Sequence, residues 1–235
     1  MSTSFYVPGE HRASRVEDLF AAIAPRYDLI NDLQSFGLHR LWKRKLLQLA
    51  QPKTGERALD LCCGTGDVAF SLARLGAKVT GADFSFPMLQ AAERRPFTAR
   101  PELIRADALN LPFSDASFDL VTISYGLRNL AGVENGLKEM HRVLKTGGRA
   151  LILDFGKPRN ALLRFGYYNY LRGFVPLFGR IFCGSSATHA YIYESLMAYP
   201  AQYEIAELMR RSGWTNIHIH NLLGGTMSIN LGSKP

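Results

Sequence analysis

The stretch Ala58-Leu59-Asp60-Leu61-Cys62-Cys63-Gly64-Thr65-Gly66-Asp67-Val68-Ala69 decides the fold. An apolar run typical of a buried strand leads into a turn of small residues, and apolar residues at helical spacing follow it. Gly64 and Gly66 give the turn its backbone freedom and let a ligand approach the main chain closely. Such a strand–turn–helix unit binds ligands at the carboxyl end of a parallel strand, although an ordinary tight turn is the competing interpretation.

The composition indicates one sizeable α/β core, since the chain has 235 residues of which 47% are hydrophobic. No run of 18 or more apolar residues is present, so we expect no membrane-spanning helix. The first 15 residues lack the apolar stretch of a signal peptide and the acid-poor character of a transit peptide. Three cysteines, two of them adjacent, form no disulfide framework or zinc spacing. These features favour a reduced cytoplasmic compartment and no metal site.

The net charge of +8 fits nucleic acid, an anionic membrane surface or simple solubility. Residues 38–49 predict a helix with an apolar face and a dense basic remainder. That remainder is either a solvated face or a membrane contact. A short amphipathic helix is also predicted over residues 16–24, followed by a loop from Ala24 to Asp28.

Strands and helices alternate through the middle of the chain, which predicts a parallel sheet covered on both faces. We expect strands over residues 57–61, 77–82, 102–105, 118–123 and 149–155, with a helix over residues 133–144 that Gly147-Gly148 ends. Residues 157–186 break the alternation and predict a helical insertion over the ligand end of the sheet. A helix over 202–211 and two strands, 215–221 and 226–231, then predict an antiparallel pair at one edge.

Polar residues follow three successive strands: the glycine turn, Asp83, and Asp107-Ala108. A nucleoside lying across these strand ends would meet all three, with Asp83 on the ribose and Asp107 on the adenine amino group. A helix-capping role for Asp83 is the alternative. Two cofactors are then possible, a dinucleotide or S-adenosylmethionine, and the Gly64-x-Gly66-x-x-Ala69 spacing permits NAD. No second nucleotide-binding half follows, which disfavours a dinucleotide.

The segment Asp60-Leu-Cys-Cys-Gly-Thr-Gly-Asp67 resembles the first motif of class I S-adenosylmethionine methyltransferases. Residues 16–232 are more closely similar to the ubiquinone/menaquinone biosynthesis C-methyltransferase family. The segments that carry this similarity are Ala24-Pro-Arg-Tyr-Asp28, Asn31-Asp32, Phe36-Gly-Leu-His-Arg-Leu-Trp-Lys43, Ile123-Ser-Tyr-Gly-Leu-Arg-Asn129, Arg142-Val-Leu-Lys145, Gly147-Gly-Arg149 and Tyr199-Pro200.

The resemblance implies the class I methyltransferase (Rossmann-like) α/β fold, with a seven-stranded, mostly parallel sheet and helices on both faces. N-terminal helices and the helical insertion would form a cap. Residues 1–235 would be one domain, divided into an N-terminal helical cap (16–50), a cofactor-binding core (56–155), a helical insertion (156–188) and C-terminal helices with a strand pair (189–235).

The resemblance also implies the site residues. S-adenosylmethionine would be the cofactor, and Arg128 and Asn129 would face the substrate. The positions expected to bind the cofactor are Asp60, Gly64, Thr65, Gly66, Asp83, Asp107, Ala108 and Ser124.

The resemblance implies a quinol substrate. A quinol becomes a carbon nucleophile when its hydroxyl loses a proton, so a base or a cation that stabilises the phenolate is expected. Arg128 is too basic to be a good base, and we assign it electrostatic stabilisation or the positioning of a water molecule. His39, Asp28, Tyr27 and Asp154 are the candidates for the proton acceptor. The other histidines show no ligand spacing, and we interpret them as surface or packing residues.

The resemblance implies S-adenosylmethionine-dependent C-methylation of a prenylated quinol, and demethylmenaquinol is the preferred candidate. A quinol of the ubiquinone or phylloquinone branch, or another small aromatic, is the alternative. A basic nucleic-acid-binding module would leave the cofactor residues unexplained, so no nucleic-acid partner is expected. We expect a cytoplasmic enzyme bound peripherally to the inner face of the cell membrane, with a homodimer left open. The basic helix 38–49 and the insertion, with Arg172 and Arg180, would meet the membrane.

Overall fold

The computed structural model describes Phe20, Ala24 and residues 27–177 and 187–235 of the chain. Within these residues one sheet is built from β1 Arg57–Leu61, β2 Lys78–Asp83, β3 Glu102–Arg105, β4 Phe118–Ser124, β5 Leu144–Phe155, β6 Thr215–Leu222 and β7 Met227–Ser233. The seven strands lie in the order β3-β2-β1-β4-β5-β7-β6. Strands β1 to β5 are parallel, and β7 runs antiparallel to both β5 and β6. The predicted seven-stranded, mostly parallel sheet is confirmed.

Helices cover the sheet on both faces. They are α1 Tyr27–Ser35, α2 Leu38–Ala50, α3 Asp67–Arg74, α4 Phe86–Glu93, α5 Val133–Val143, α6 Ala161–Asn169, α7 Ala187–Ala198 and α8 Ala201–Arg211. A π-helical turn, Tyr170–Phe174, continues α6. Local sequence explains where two of the helices begin. Asp67 is the first residue of α3, where its negative charge favours the helix N-terminus, and Pro87 lies in the first turn of α4.

Successive side chains of β1 point to opposite faces of the sheet, and each face carries its own hydrophobic cluster. Ala58 packs with Leu46 of α2 and Leu72 of α3 on one face. Leu59 and Leu61 pack on the other face in the cluster that contains α5. Each of these leucines is almost fully buried, which stabilises the fold by about 1.5–3 kcal/mol per side chain.

The parallel register brings the strand ends to one edge of the sheet. Leu61 lies beside Ala82 of β2 and beside Ile123 of β4, and Asp83 lies beside Arg105 of β3. The glycine turn and the residues that follow β2, β3 and β4 therefore meet at the carboxyl edge. Any ligand that uses them together must lie across this edge.

Two expectations about the elements were wrong. The predicted loop from Ala24 to Asp28 is helical from Tyr27 onward, and Asp28 in the first turn of α1 favours that start. Strand β5 begins at Leu144, before Gly147-Gly148 rather than after them. The carbonyl of Val143 accepts a hydrogen bond from Ser117, 2.8 Å away, so the end of α5 is satisfied without a glycine cap.

The C-terminal strand pair is confirmed, with β7 inserted between β5 and the edge strand β6. The helix predicted over residues 16–24 lies outside the described residues apart from Phe20 and Ala24, and part of the predicted insertion, with Arg180, also lies outside them. None of the described helices is long and apolar enough to cross a membrane.

Arg149 of β5 ties the C-terminal end of α2 to the sheet. Its guanidinium donates to the carbonyls of Ala50 and Gln51, at 2.7 and 2.9 Å, and pairs with Glu56 at 2.9 Å. The Ala50 carbonyl belongs to a fully buried residue, so removing its donor leaves an unsatisfied acceptor.

We expect Arg149→Ala to lower the free energy of unfolding by about 1–3 kcal/mol, the cost of such an acceptor. Urea denaturation measures it. Arg210→Ala removes an exposed pair with Glu207 and should change stability by less than about 1 kcal/mol. Equal losses in the two variants would contradict the role given to Arg149.

Candidate active site

The glycine turn is held from beneath by backbone and carboxylate contacts. Asp83 accepts hydrogen bonds from the amides of Gly64 and Ser85, each at 2.8 Å. Gly66 has a φ of 86°, and a Cβ there would lie 2.7 Å from the Phe70 ring. The turn therefore requires glycine at this position, both for its conformation and for its packing.

A cavity of about 940 Å³ opens beside this turn at the carboxyl edge of the sheet. Of the residues that the sequence indicated for the cofactor, five line the cavity: Gly64, Asp83, Asp107, Ala108 and Ser124. Asp60 and Thr65 line a small recess that shares Gly64 and Ser124 with it. Gly66 lines neither and shapes the turn.

Several polar groups at this cavity retain hydrogen-bonding capacity. The buried hydroxyl oxygens of Ser85, Ser124 and Tyr125 have no hydrogen-bond partner in the described part of the chain, and all three residues line the cavity. Buried hydroxyls normally find a partner. A polar ligand in the cavity would supply it.

Asp60 lies beneath the turn and is 1% exposed. Burial raises its pKa to about 7, although the Thr122 hydroxyl donates to it at 2.7 Å and Lys43 opposes the shift. A carboxyl group poised in this range can accept or donate a hydrogen bond toward the recess.

A second cavity, of about 960 Å³, adjoins the first and shares Phe20, Tyr27 and Tyr125 with it. Its remaining wall is largely aromatic and aliphatic. The insertion contributes Tyr167, Tyr170, Leu171 and Val175, α7 contributes Tyr191 and Ile192, and α1 and α2 contribute Ile30 and Trp42. Two ligands in the two cavities would meet at Tyr27 and Tyr125. We refer to them as the polar cavity and the aromatic cavity.

Arg128 lies in the wall of the aromatic cavity and is 5% exposed. It pairs with Asp154 at 3.0 Å, donates to the carbonyl of Tyr125 at 2.6 Å and lies over the Phe155 ring, 4.6 Å from its centre. Burial alone would lower the pKa of Arg128, but the charge and hydrogen bond of Asp154, together with Tyr191 and Tyr27, outweigh it and hold the pKa above its usual range. Arg128 therefore remains a fixed cation.

Asp154 orients Arg128 rather than facing either cavity. Burial raises the pKa of Asp154, while Arg128 opposes the shift, and the carboxylate also accepts from the backbone of Phe155 at 2.8 Å. Asn129, the next residue after Arg128, lines the polar cavity. Its amide group donates to the carbonyl of Tyr125, and its side-chain oxygen accepts from the Tyr191 hydroxyl.

The other three candidate catalytic residues occupy different places. Tyr27 lines both cavities, and burial raises the pKa of its hydroxyl. His39 lines the aromatic cavity, with its Nε2 2.8 Å from Asp32. Asp28 lies outside both cavities, where it accepts from Thr65 at 2.8 Å and pairs with Arg95.

Sequence reasoning missed most of the aromatic wall. Tyr125 lies in a quoted motif, but nothing in the motif indicates that its ring separates two cavities. Tyr170 donates to the carbonyl of Gln34, 136 residues earlier in the chain, at 2.6 Å. The only available signal was the aromatic density of the insertion.

Comparisons with known proteins agree with this geometry. The family model described as the ubiE/COQ5 methyltransferase family matches residues 9–234. A demethylmenaquinone methyltransferase of Desulfitobacterium hafniense is 40% identical, with 97% of this chain and 92% of that protein covered. A ubiquinone/menaquinone biosynthesis C-methyltransferase of Pseudomonas fluorescens is 38% identical, with the same coverage.

Solved structures share the fold. A methyltransferase of Thermotoga maritima superposes with a TM-score of 0.66 at 20% identity, covering 93% of this chain and 99% of that one. A phosphoethanolamine N-methyltransferase of Haemonchus contortus, in complex with S-adenosyl-L-methionine, gives a TM-score of 0.63 at 19% identity, covering 82% and 52%. The chain belongs to the ubiE/COQ5 methyltransferase family and is an S-adenosylmethionine-dependent methyltransferase.

Proposed function

We propose that this enzyme transfers a methyl group to a ring carbon of a prenylated quinol, and that demethylmenaquinol is its substrate. The observation that carries the proposal is the aromatic cavity, which adjoins the polar cavity and shares Tyr27 and Tyr125 with it. A flat aromatic ring with an apolar tail suits such a wall. The names of the relatives, one of which is a demethylmenaquinone methyltransferase, support this substrate.

In this proposal S-adenosylmethionine binds in the polar cavity. The residues there fit it: Asp83 offers a carboxylate for the ribose hydroxyls, and Asp107 with Ala108 lies where the adenine would extend. The unpartnered Ser124 hydroxyl supplies a further hydrogen bond. Gly64 leaves the main chain accessible, because a Cβ there would meet only the Tyr27 ring, 3.9 Å away. Asp60, Thr65 and Gly66 hold the adjoining turn.

The bound cofactor supplies a methyl group already activated by a positively charged sulfur. The chain must then hold the quinol carbon in line with it and favour loss of the hydroxyl proton. Arg128 is a buried cation at the cavity wall and stabilises the phenolate. Asn129 lines the polar cavity rather than the aromatic one, and it holds the Tyr191 hydroxyl in the wall between them. Tyr27 lines both cavities and would lie between the two reactants. Asp28 acts through Thr65 of the glycine turn.

The direct test uses a host that lacks its own demethylmenaquinone methyltransferase. Expression of this chain should convert the accumulated demethylmenaquinone into menaquinone, measured by mass spectrometry of extracted quinones. The Asp83→Ala variant, expressed at the same level, serves as the control and should produce little menaquinone. If the quinone profile is unchanged with the wild-type chain, the proposed substrate is wrong.

A second expectation concerns the cofactor. Asp83→Ala should weaken binding of S-adenosylhomocysteine by about 1.5–3 kcal/mol, as expected for the loss of charged hydrogen bonds. Calorimetry measures the affinity. Asp115→Ala, at a carboxylate whose side chain is 76% exposed, is the matched control and should bind normally. Unchanged affinity in Asp83→Ala would remove this residue from the cofactor site.

The substrate tail also requires access to the enzyme, and we propose peripheral binding to the inner face of the cell membrane. Large apolar side chains are exposed on or directly after α1, α6 and the turn that continues α6, the elements that contribute to the aromatic cavity. They are Leu29, Leu33, Phe36, Leu162, Phe165, Phe174 and Leu177. Exposed apolar groups of this kind suit an interfacial contact.

Exposed basic residues lie on α2 and on the turn that continues α6. Arg44 and Lys45 of α2 are exposed, as is Arg172. Arg40 and Lys43 of the same helix pair with Asp32 and Asp67, so α2 offers fewer uncompensated charges than its sequence indicated. Binding through the remaining cations would weaken as salt is added.

We therefore expect Arg172→Glu to lower partitioning onto anionic vesicles about tenfold or more, because each cation near such a surface contributes about 1 kcal/mol. Lys78→Glu makes the same charge change at the amino end of β2, the opposite edge of the sheet, and should have a much smaller effect. Vesicle flotation at low salt measures both. Equal losses, or no binding by the wild-type chain, would contradict the membrane contact.

A further inference from the structure

The wall between the aromatic cavity and the outside contains one histidine. His39 lines the aromatic cavity and also lines an open groove of about 1400 Å³ that borders α2 and α3. The residue is 4% exposed. The residue therefore contributes to the walls of both an apolar cavity and a polar groove.

The contact with Asp32 determines which ring nitrogen carries the proton. The hydrogen bond from Arg40 lowers the pKa of Asp32 to about 2, so its carboxylate is ionised and can only accept. His39 Nε2 lies 2.8 Å from that carboxylate and must hold the hydrogen. In the neutral ring Nδ1 then carries a lone pair. This atom is buried, and no described residue forms a hydrogen bond with it.

No other described residue in the wall of the aromatic cavity offers a comparable proton acceptor. The wall contains no carboxylate and no lysine. Arg128 remains a cation, and burial raises the pKa of Tyr27, Tyr125, Tyr167 and Tyr170. Asn31 and Gln34 are neutral amides.

We propose that His39, held by Asp32, accepts the hydroxyl proton of the quinol at Nδ1 and connects the aromatic cavity to the open groove for proton release. The inference rests on the proposed quinol substrate and assigns its base. Asp32 is a positioning residue that fixes the tautomer and stabilises the imidazolium.

The protons and electrons balance over one turnover. The hydroxyl gives its proton to Nδ1, and an electron pair of the ring forms the new carbon–carbon bond to the methyl group. The bond between that methyl group and the sulfonium sulfur breaks, and its electron pair stays on sulfur. The ring carbon then loses its own proton, which returns to the quinol oxygen as the aromatic ring is restored. The imidazolium releases its proton to solvent in the groove, so one proton leaves per methyl transferred.

The surroundings of His39 set the sign of the pH dependence. Burial lowers its pKa, Lys43 lowers it further, and Asp32 and Asp67 act in the opposite direction, so the net shift is below the usual value. The charged and titratable groups around the ring on both sides are Asp32 and Asp28 of α1, Arg40, Lys43 and Arg44 of α2, Asp67 and Arg74 of α3, Arg95, Arg128, Tyr27, Tyr167, Tyr170 and Tyr191. The neutral ring therefore predominates at neutral pH, and the rate should fall as pH falls through the His39 pKa.

The test uses the full chain, a short-tailed soluble 2-prenyl-1,4-naphthoquinol kept reduced under anaerobic conditions, and single-turnover methylation from pH 4.5 to 8. His39→Gln keeps an amide donor for Asp32 but has no basic nitrogen. We expect its rate at neutral pH to fall by about 100-fold or more, with S-adenosylhomocysteine affinity within about twofold of wild type. The acidic fall in rate should disappear.

His141→Gln is the matched control. Burial also lowers the pKa of His141, but this residue packs against Trp214 away from both cavities. It should keep the wild-type rate and pH profile. A similar loss in both variants would show that the change in His39→Gln is structural and would overturn the assignment.

Asp32→Asn provides a second variant in case His39→Gln folds poorly. Removal of the carboxylate takes away an interaction that raises the His39 pKa, so the acidic fall should move to lower pH by about half a unit or more. A wild-type profile without an acidic fall, or one unmoved by Asp32→Asn, overturns the proposal. If the wild-type enzyme methylates the quinol and His39→Gln keeps the wild-type rate, only the assignment of His39 as the base is overturned. Failure of the wild type on any quinol overturns both.

Discussion

The carboxylate of Asp83 is the contact on which the ligand end of the sheet depends. It accepts hydrogen bonds from the backbone amides of Gly64 and Ser85 and so joins the end of β2 to the turn after β1 and to the start of α4. The same side chain faces the polar cavity. A residue that holds the main chain and also contacts a ligand fixes the ligand relative to the sheet, which is the precision that methyl transfer requires.

Sequence predicted the parts of this arrangement that are local. Five of the eight residues expected to bind the cofactor line one cavity because each lies at the glycine turn or directly after a parallel strand, and parallel strands end at the same edge. The aromatic cavity could not be predicted in this way. Its wall brings together α1, the insertion and α7, so its geometry depends on contacts such as that of Tyr170 with Gln34, which no local pattern encodes.

The sequence also does not show which charges are paired inside the fold. The sequence gives a net charge of +8 and a strongly basic α2, but much of that basicity is used internally. Lys43 and Arg95 both pair with Asp67, Arg95 also pairs with Asp28, and Arg128 is buried against Asp154. A buried pair of this kind contributes little net stability because both ions lose their hydration. Its value here is a cation kept at a fixed place in an apolar wall.

Helix α1 touches every part of the site. Tyr27 lines both cavities, Asp28 accepts from Thr65 of the glycine turn, and Asp32 holds His39. A movement of this helix that admits one reactant changes the wall presented to the other. With both reactants bound as proposed, their binding equilibria would be coupled through α1, and the coupling free energy would be the same whichever reactant binds first. Binding in one cavity would then depend on whether the other cavity is occupied, through a single helix of nine residues.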